Sequence, residues 1–170
     1  YKAELYYKKY DRLALVEKGT VDAAEVLTSG GYGYSKGFDL FFNDRVLLKN
    51  LEYQLSYTYN IAKRKFQEYT ELTTPQYATQ HNASLVLKYS IPRIGTIVGL
   101  TNRFSSGRPY HNPDLPGLMN DHVKPYNSLD LGLTFLPSKK VIIHASATNI
   151  LCRKNEFGRV NNKAILASND

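Results

Sequence analysis

The chain has 170 residues, 42% hydrophobic and 22% charged, with a formal net charge of +7. It contains no run of about 18 apolar residues, which excludes a membrane-spanning helix, and its single cysteine, Cys152, excludes an internal disulfide framework or a thiolate metal site. The mean hydropathy of −0.40 does not exclude a membrane-spanning barrel, because barrel strands alternate lipid-facing and lumen-facing residues and average out polar.

Fourteen tyrosines against one methionine and no tryptophan is a β-leaning composition. Seven strands are expected, with no helix between them. The first spans 1–16, with Ala3, Leu5 and Tyr7 in phase. The second spans 31–43, where Tyr32, Tyr34, Lys36, Phe38, Leu40 and Phe42 alternate with glycines, Ser35 and Asp39. The third, 51–62, places Leu51, Tyr53, Leu55, Tyr57, Tyr59 and Ile61 on one side and Glu52, Gln54, Ser56, Thr58 and Asn60 on the other. The remaining four span 77–91, 96–105, 128–136 and 140–150. Strict period-two alternation gives each an oily and a wet face. Alternation alone does not say whether the oil is a sandwich core or lipid.

Two patterns favour lipid. Expected connections at 47–50, 90–95 and 137–140 are short, whereas those at 17–30, 63–76, 106–127 and from 151 onward are long. Short turns on one rim and long loops on the other characterise up-and-down outer-membrane barrels, while a Greek-key sandwich mixes its connection lengths. Alternation across 11 positions, at 32–42 and 51–61, gives about 33 Å of strand, or about 25 Å of height when tilted by about 40°, which is the height of a lipid-facing band. Lys36 is the misfit in the apolar phase. It is expected either to snorkel toward the interface or to be flipped by a bulge at Gly37.

In order, "GYGYSKGFDLFF", "LEYQLSYTYNIAKRKF", "QHNASLVLKYSIP", "FSSGRPYHNP", "PYNSLDLGLTF" and "ASATNILCRKNEFG" resemble the C-terminal barrel strands of TonB-dependent outer-membrane receptors of the Bacteroidota type. The segments at Ser106 to Tyr110 and Thr148 to Leu151 are the most telling. The resemblance implies an all-β, antiparallel transmembrane barrel of about 22 strands, of which about seven are present. It implies a plug domain and TonB as partners outside this chain, and import of a scarce nutrient such as an iron chelate, cobalamin or glycan across the bacterial outer membrane. The chain opens within a strand, without an initiator methionine or signal peptide, and closes on "ASND" where the family has a final aromatic strand. The expectation is a section of a longer polypeptide, one barrel domain across 1–170 with no plug. Alternatives are a passive pore, a structural outer-membrane barrel, a rim hydrolase using Asp130 and His144, and a soluble β-sandwich binding module.

The loop at 106–127 holds Arg108, Tyr110, His111, Asp114, Asp121 and His122. Loops on one rim of a rigid barrel carry recognition, so Arg108, Tyr110, His111, Asp114 and His122 are candidate ligand contacts. The two histidines match no metal-ligand spacing, so no metal and no cofactor is expected. Asp39, Glu52, Gln54, Arg103 and His144 fall in the polar phase and are expected to line the lumen; His81 is expected in an aromatic girdle. No nucleophile–base–acid set is spaced for catalysis, so no enzyme is expected. "SGGYG" precedes no helix and is not a phosphate cradle, and the sequon at Asn82 lies within a strand. The basic residues are scattered apart from Lys63, Arg64 and Lys65, so nucleic acid is not an expected partner. Arg64, Lys65, Arg153 and Lys154 are candidate contacts to the phosphates of outer-membrane lipopolysaccharide.

Overall fold

The computed structural model describes residues 1–18, 25–160 and 163–166. Its strands in chain order are β1 (Lys2–Lys18), β2 (Glu25–Asp44), β3 (Leu51–Lys65), β4 (His81–Ile91), β5 (Thr96–Ser105), β6 (Pro109–Tyr110), β7 (Asp121–His122), β8 (Tyr126–Ser138), β9 (Val141–Ala147), β10 (Glu156–Val160) and β11 (Lys163–Leu166). The fold is all-β and antiparallel. Seven strands form one sheet in the order β1-β2-β3-β4-β5-β8-β9, a meander in which each long strand pairs with the next; β6–β7 and β10–β11 are separate hairpins. The only described helical element is a 3-10 turn, Pro92–Ile94, closed by Gly95 at φ 59°, a left-handed conformation suited to glycine.

The alternation seen in sequence becomes two chemically distinct faces, because directly paired residues in an antiparallel ladder share a side. One row across the sheet reads Leu5, Phe38, Tyr59, His81, and another reads Tyr53, Leu87, Leu100, Leu131, Ala147. Aromatic pairs bound this apolar face. Phe38 lies 5.8 Å from Tyr57 and 5.6 Å from Tyr59 toward the long-loop rim, and Phe42 lies 5.6 Å from Tyr53 toward the short turns. The opposite face is a polar ladder. Thr58 donates to Asp39 at 2.6 Å, Tyr6 and Ser35 both donate to Asn60, Arg103 pairs with Asp130 at 3.0 Å, and Lys88 pairs with Glu52 at 3.6 Å.

No second sheet packs on either face among the described residues. Leu5 is 87% exposed, Leu40 47%, Leu55 45% and Leu133 45%, so the apolar face is uncovered. The accessible surface is 11974 Å², against about 8,500 Å² for a compact monomer of 19.3 kDa. Among the described residues there is one large sheet and no two-sheet sandwich. The few well-buried apolar side chains, Leu15, Ala62, Tyr110 and Val123, and the fully buried Pro75 and Pro109 lie toward or in the long loops.

Among the differences from expectation are three boundaries and one bulge. The connection at 17–30 is largely strand, since β1 and β2 stay paired out to Lys18 and Glu25, and residues 19–24 lie outside the described ones. The fourth strand begins at His81, not at Tyr77, because 76–80 run as turn and loop. The segment after 151, expected as loop, contains β10 and β11. Gly37 makes no bulge: pairing runs unbroken through Lys36↔Ile61 and Gly37↔Asn60, so Lys36 stays on the apolar face, 5.8 Å above the Tyr34 ring. The irregularity lies in β1, where Arg12 takes φ 58° and the register shifts. Beyond it, Gln67 exchanges backbone hydrogen bonds with Ala14 and Val16 at 2.7 and 2.8 Å, docking the 66–80 loop on β1 and burying Leu15.

Candidate functional site

At the long-loop rim several connections meet. Ser106 starts the loop after β5, and its hydroxyl accepts from the backbone N–H groups of Gln80 and His81 at 2.9 and 3.0 Å. A Cβ on Gly107 would run into the Val123 carbonyl oxygen, so only glycine lets the two sides of this loop close. The loop then folds as the β6–β7 hairpin, Pro109 opposite His122 and Tyr110 opposite Asp121. Its tip is knitted by asparagines: Asn120 Nδ2 donates to the carbonyls of Leu115 and Asn112 at 2.6 and 2.9 Å. The tip leans on the 66–80 loop, with Leu118 N–H donating to Glu71 at 3.2 Å and Thr73 donating to the Leu118 carbonyl at 3.2 Å.

A third segment arrives from beyond β9. Asn149, at φ 49°, donates its N–H to Asp130 at 2.9 Å. Asn155 bridges both backbone groups of Asn127 at 3.0 and 3.1 Å. Phe157 stacks on Tyr126 at 5.8 Å, and the Arg108 guanidinium sits 5.1 Å over the same Phe157 ring. Arg159 pairs with Glu156 at 3.2 Å and lies 5.6 Å from the Tyr110 ring. Together Asn82, Ser105, Arg108, Lys124, Tyr126 and Phe157 line a cleft of about 240 Å³. It opens on the polar side of the sheet, where Asn82, Ser105 and Tyr126 share a row. Two cations, one stacked aromatic pair, an amide and the Glu156 carboxylate held by Arg159 can grip a polar ligand. The cleft holds no nucleophile and base in hydrogen-bonded contact.

The expected contact residues separate. Arg108 is half-buried and reaches the cleft. Tyr110 is 4% exposed and spends its hydroxyl on Asp121 at 2.6 Å, so it braces the loop. His111, Asp114 and His122 stand exposed on its surface. Asp39, Glu52, Gln54, Arg103 and His144 all lie on the polar face, with His144 Nδ1 2.9 Å from the Thr134 hydroxyl. His81 sits among aromatic rings, 5.1 Å from Tyr59 and with its Nδ1 2.8 Å from the Tyr57 hydroxyl. Among the described residues no group of three or more His, Cys, Asp or Glu side chains gathers as for a metal. Lys124, Glu156, Phe157 and Arg159 were missed in sequence. Phe157 and Arg159 belong to a β-hairpin whose Glu-Phe-Gly alternation is too short to register as a strand.

Asp121 anchors the loop. The Tyr110 hydroxyl, the Asn112 amide and the His122 N–H all donate to it, pulling its carboxyl from 3.8 down to about 2. A depressed carboxyl contributes its stabilisation above the unfolded value and loses it as pH falls through the folded one. The hairpin is therefore expected to hold above about pH 4 and to loosen toward about pH 2. Removing the first donor with Tyr110→Phe is expected to move the Asp121 titration back toward 3.8. Carboxyl-carbon NMR on the protein reads this directly, and a wild-type Asp121 midpoint near 4 would contradict the geometry.

No family model matches this sequence, and no curated protein matches it.

Proposed function

We propose that the chain is a section of the transmembrane barrel of a TonB-dependent outer-membrane receptor, which imports a scarce nutrient of the iron-chelate, cobalamin or glycan class. The observation that carries this reading is the uncovered apolar face: a single antiparallel meander, aliphatic in the middle and bounded by aromatic pairs, with hydrogen-bonded polar groups on its other side. In water such a face is a large exposed hydrophobic patch; in lipid it needs no cover. On this reading Leu40, Leu55 and Leu100 meet acyl chains. Asp39, Glu52, Gln54, Arg103 and His144 line the lumen beside the receptor's plug, through which TonB acts. The rim cleft at Arg108 and Lys124 belongs to the external ligand site, and lipopolysaccharide surrounds that rim.

These 170 residues hold no tryptophan, so a tryptophan introduced among them reports on this sheet as the difference from the parent protein's emission. In the polypeptide as its host makes it, Leu55→Trp is expected to emit at short wavelength and to be quenched by brominated lipid, while Gln54→Trp on the neighbouring position is not. Equal quenching at both positions, or at neither, removes the membrane reading. Uptake that persists without TonB turns the protein into a passive pore instead.

A further inference from the structure

The lysine that fits the apolar face worst has company. On β1, β2 and β3 the ladder places Lys9, Tyr34 and Lys63 in one row, Tyr7, Lys36 and Ile61 in the next row toward the short turns, and Lys65 opposite Tyr32 in the row beyond. These residues all stand on the apolar face, at its long-loop end. Moving up this face from the middle, one meets aliphatic side chains, then Phe38 and Tyr59, then this lattice of lysines and tyrosines. Lys9 pairs with Asp11 at 3.1 Å, and among the described residues no ion pair engages Lys36, Lys63 or Lys65. Arg64, expected to join them, points to the other face. Its guanidinium lies 4.3 Å from the Tyr10 ring and donates to the Tyr77 hydroxyl at 2.6 Å.

We propose that Lys9, Lys36, Lys63 and Lys65 form a binding site for the phosphate-bearing headgroup of a membrane lipid. The inference rests on the membrane reading above and goes beyond it by assigning residues and ligand chemistry. Three features carry it. A lysine amine is a compact, strongly hydrated charge that pairs with phosphate. It costs about 2 to 4 kcal/mol at a bilayer midplane but about 0 to 1 near an interface, so four of them in phase with an apolar stripe mark where that interface lies. The tyrosines between them have the apolar ring and polar hydroxyl that suit headgroup depth. With rows about 7 Å apart and strands about 4.8 Å apart, the four lysine positions span about 10 by 14 Å on the sheet, room for two phosphates on one headgroup. The lattice lies on the opposite face from the Arg108 cleft, so a soluble ligand entering the lumen does not reach it.

The test uses the intact protein in nanodiscs of neutral lipid, titrated with a diphosphorylated glycolipid and with the same lipid dephosphorylated. Wild type is expected to bind the phosphorylated form at least tenfold more tightly, less so as salt rises. The quadruple exchange of these lysines to glutamine is expected to abolish that preference, and the same exchange to arginine to retain it. Exchanging Lys49, Lys139 and Lys140 at the short turns to glutamine is the equal-sign control and is expected to change nothing. Loss in the control, no loss in the quadruple variant, or equal occupancy by free pyrophosphate or a DNA duplex overturns the site. The Leu55→Trp measurement separates a failed membrane reading from a failed lysine site in an inserted protein.

Discussion

On the proposed membrane reading, replacing Leu100 by lysine is expected to lower stability by about 2 to 4 kcal/mol, the cost of a lysine on a lipid-facing surface near the midplane. Leu100 sits between Leu87 and Leu131 in the middle of the apolar face, below Phe104 and above Val98 on its own strand. The acidic side chain in that row, Asp44 opposite Tyr53, stands three strands away, about 14 Å at the usual strand spacing and out of an amine's reach. The neighbouring position supplies the contrast. Thr101 points to the polar face and pairs with Asp130, whose carboxylate already holds Arg103 at 3.0 Å, so Thr101→Lys is expected to stay within about 1 kcal/mol, the usual range for a surface charge pair. Equilibrium unfolding in urea from lipid vesicles measures both. If the apolar face met water, Leu100→Lys would be neutral or helpful, because it would shrink an exposed hydrophobic patch. The sign of one substitution therefore decides what that face touches.

That face was legible in sequence for a simple reason. A side-chain period of two survives any curvature or twist of the sheet, so Leu51 to Ile61 announces its two faces wherever the strand sits. The short turns were legible as well, because few residue patterns close a two-to-six-residue connection between antiparallel strands; Pro92, Gly95 and Asn50 mark them, the last at φ 62°. The rim was not. Its order comes from contacts between segments far apart in sequence, such as Asn127 with Asn155, or Leu118 with Glu71, and no local pattern encodes them. Tyr110 illustrates the cost. Its chemistry suits ligand contact, yet a partner eleven residues away takes its hydroxyl. The connection at 17–30 was misjudged for another reason. There β2 pairs with β1 alone, since β3 joins β2 only from Tyr32 onward, and the Arg12 irregularity shifts the register of the pair, so the period-two pattern of the longer strands does not carry through it.

The glycines of β2 bear on how this sheet curves, and they yield the second large effect. Gly31, Gly33 and Gly37 all point to the polar face. A Cβ at Gly33 would stand 2.5 Å from the Lys63 carbonyl oxygen and one at Gly31 2.6 Å from that of Lys65, while one at Gly37 would collide with the Tyr59 carbonyl and approach the Tyr6 hydroxyl to 2.8 Å. Close backbone approach on one side of a strand is a feature of a tight bend, and designed barrels place glycines to obtain it. Here the approach is on the polar side, which draws β1, β2 and β3 together there and lets Tyr6 and Ser35 share the Asn60 acceptor at 3.1 and 2.7 Å. Gly99 on β5 faces the same way but has open space, its nearest neighbour being the Gly132 carbonyl oxygen at 3.9 Å. Gly37→Ala is accordingly expected to cost about 1 to 3 kcal/mol, as overpacking does. Gly99→Ala is expected to be neutral or to stabilise by up to about 1 kcal/mol through the unfolded chain. Unfolding free energies in vesicles, read beside hydrogen exchange at Asn60, separate the two cases. Equal costs at both glycines would mean that β2 is no more tightly bent than β5. A large cost confined to Gly37, with Asn60 losing protection, would place the bend on the polar side, the direction of curvature that the proposed barrel requires.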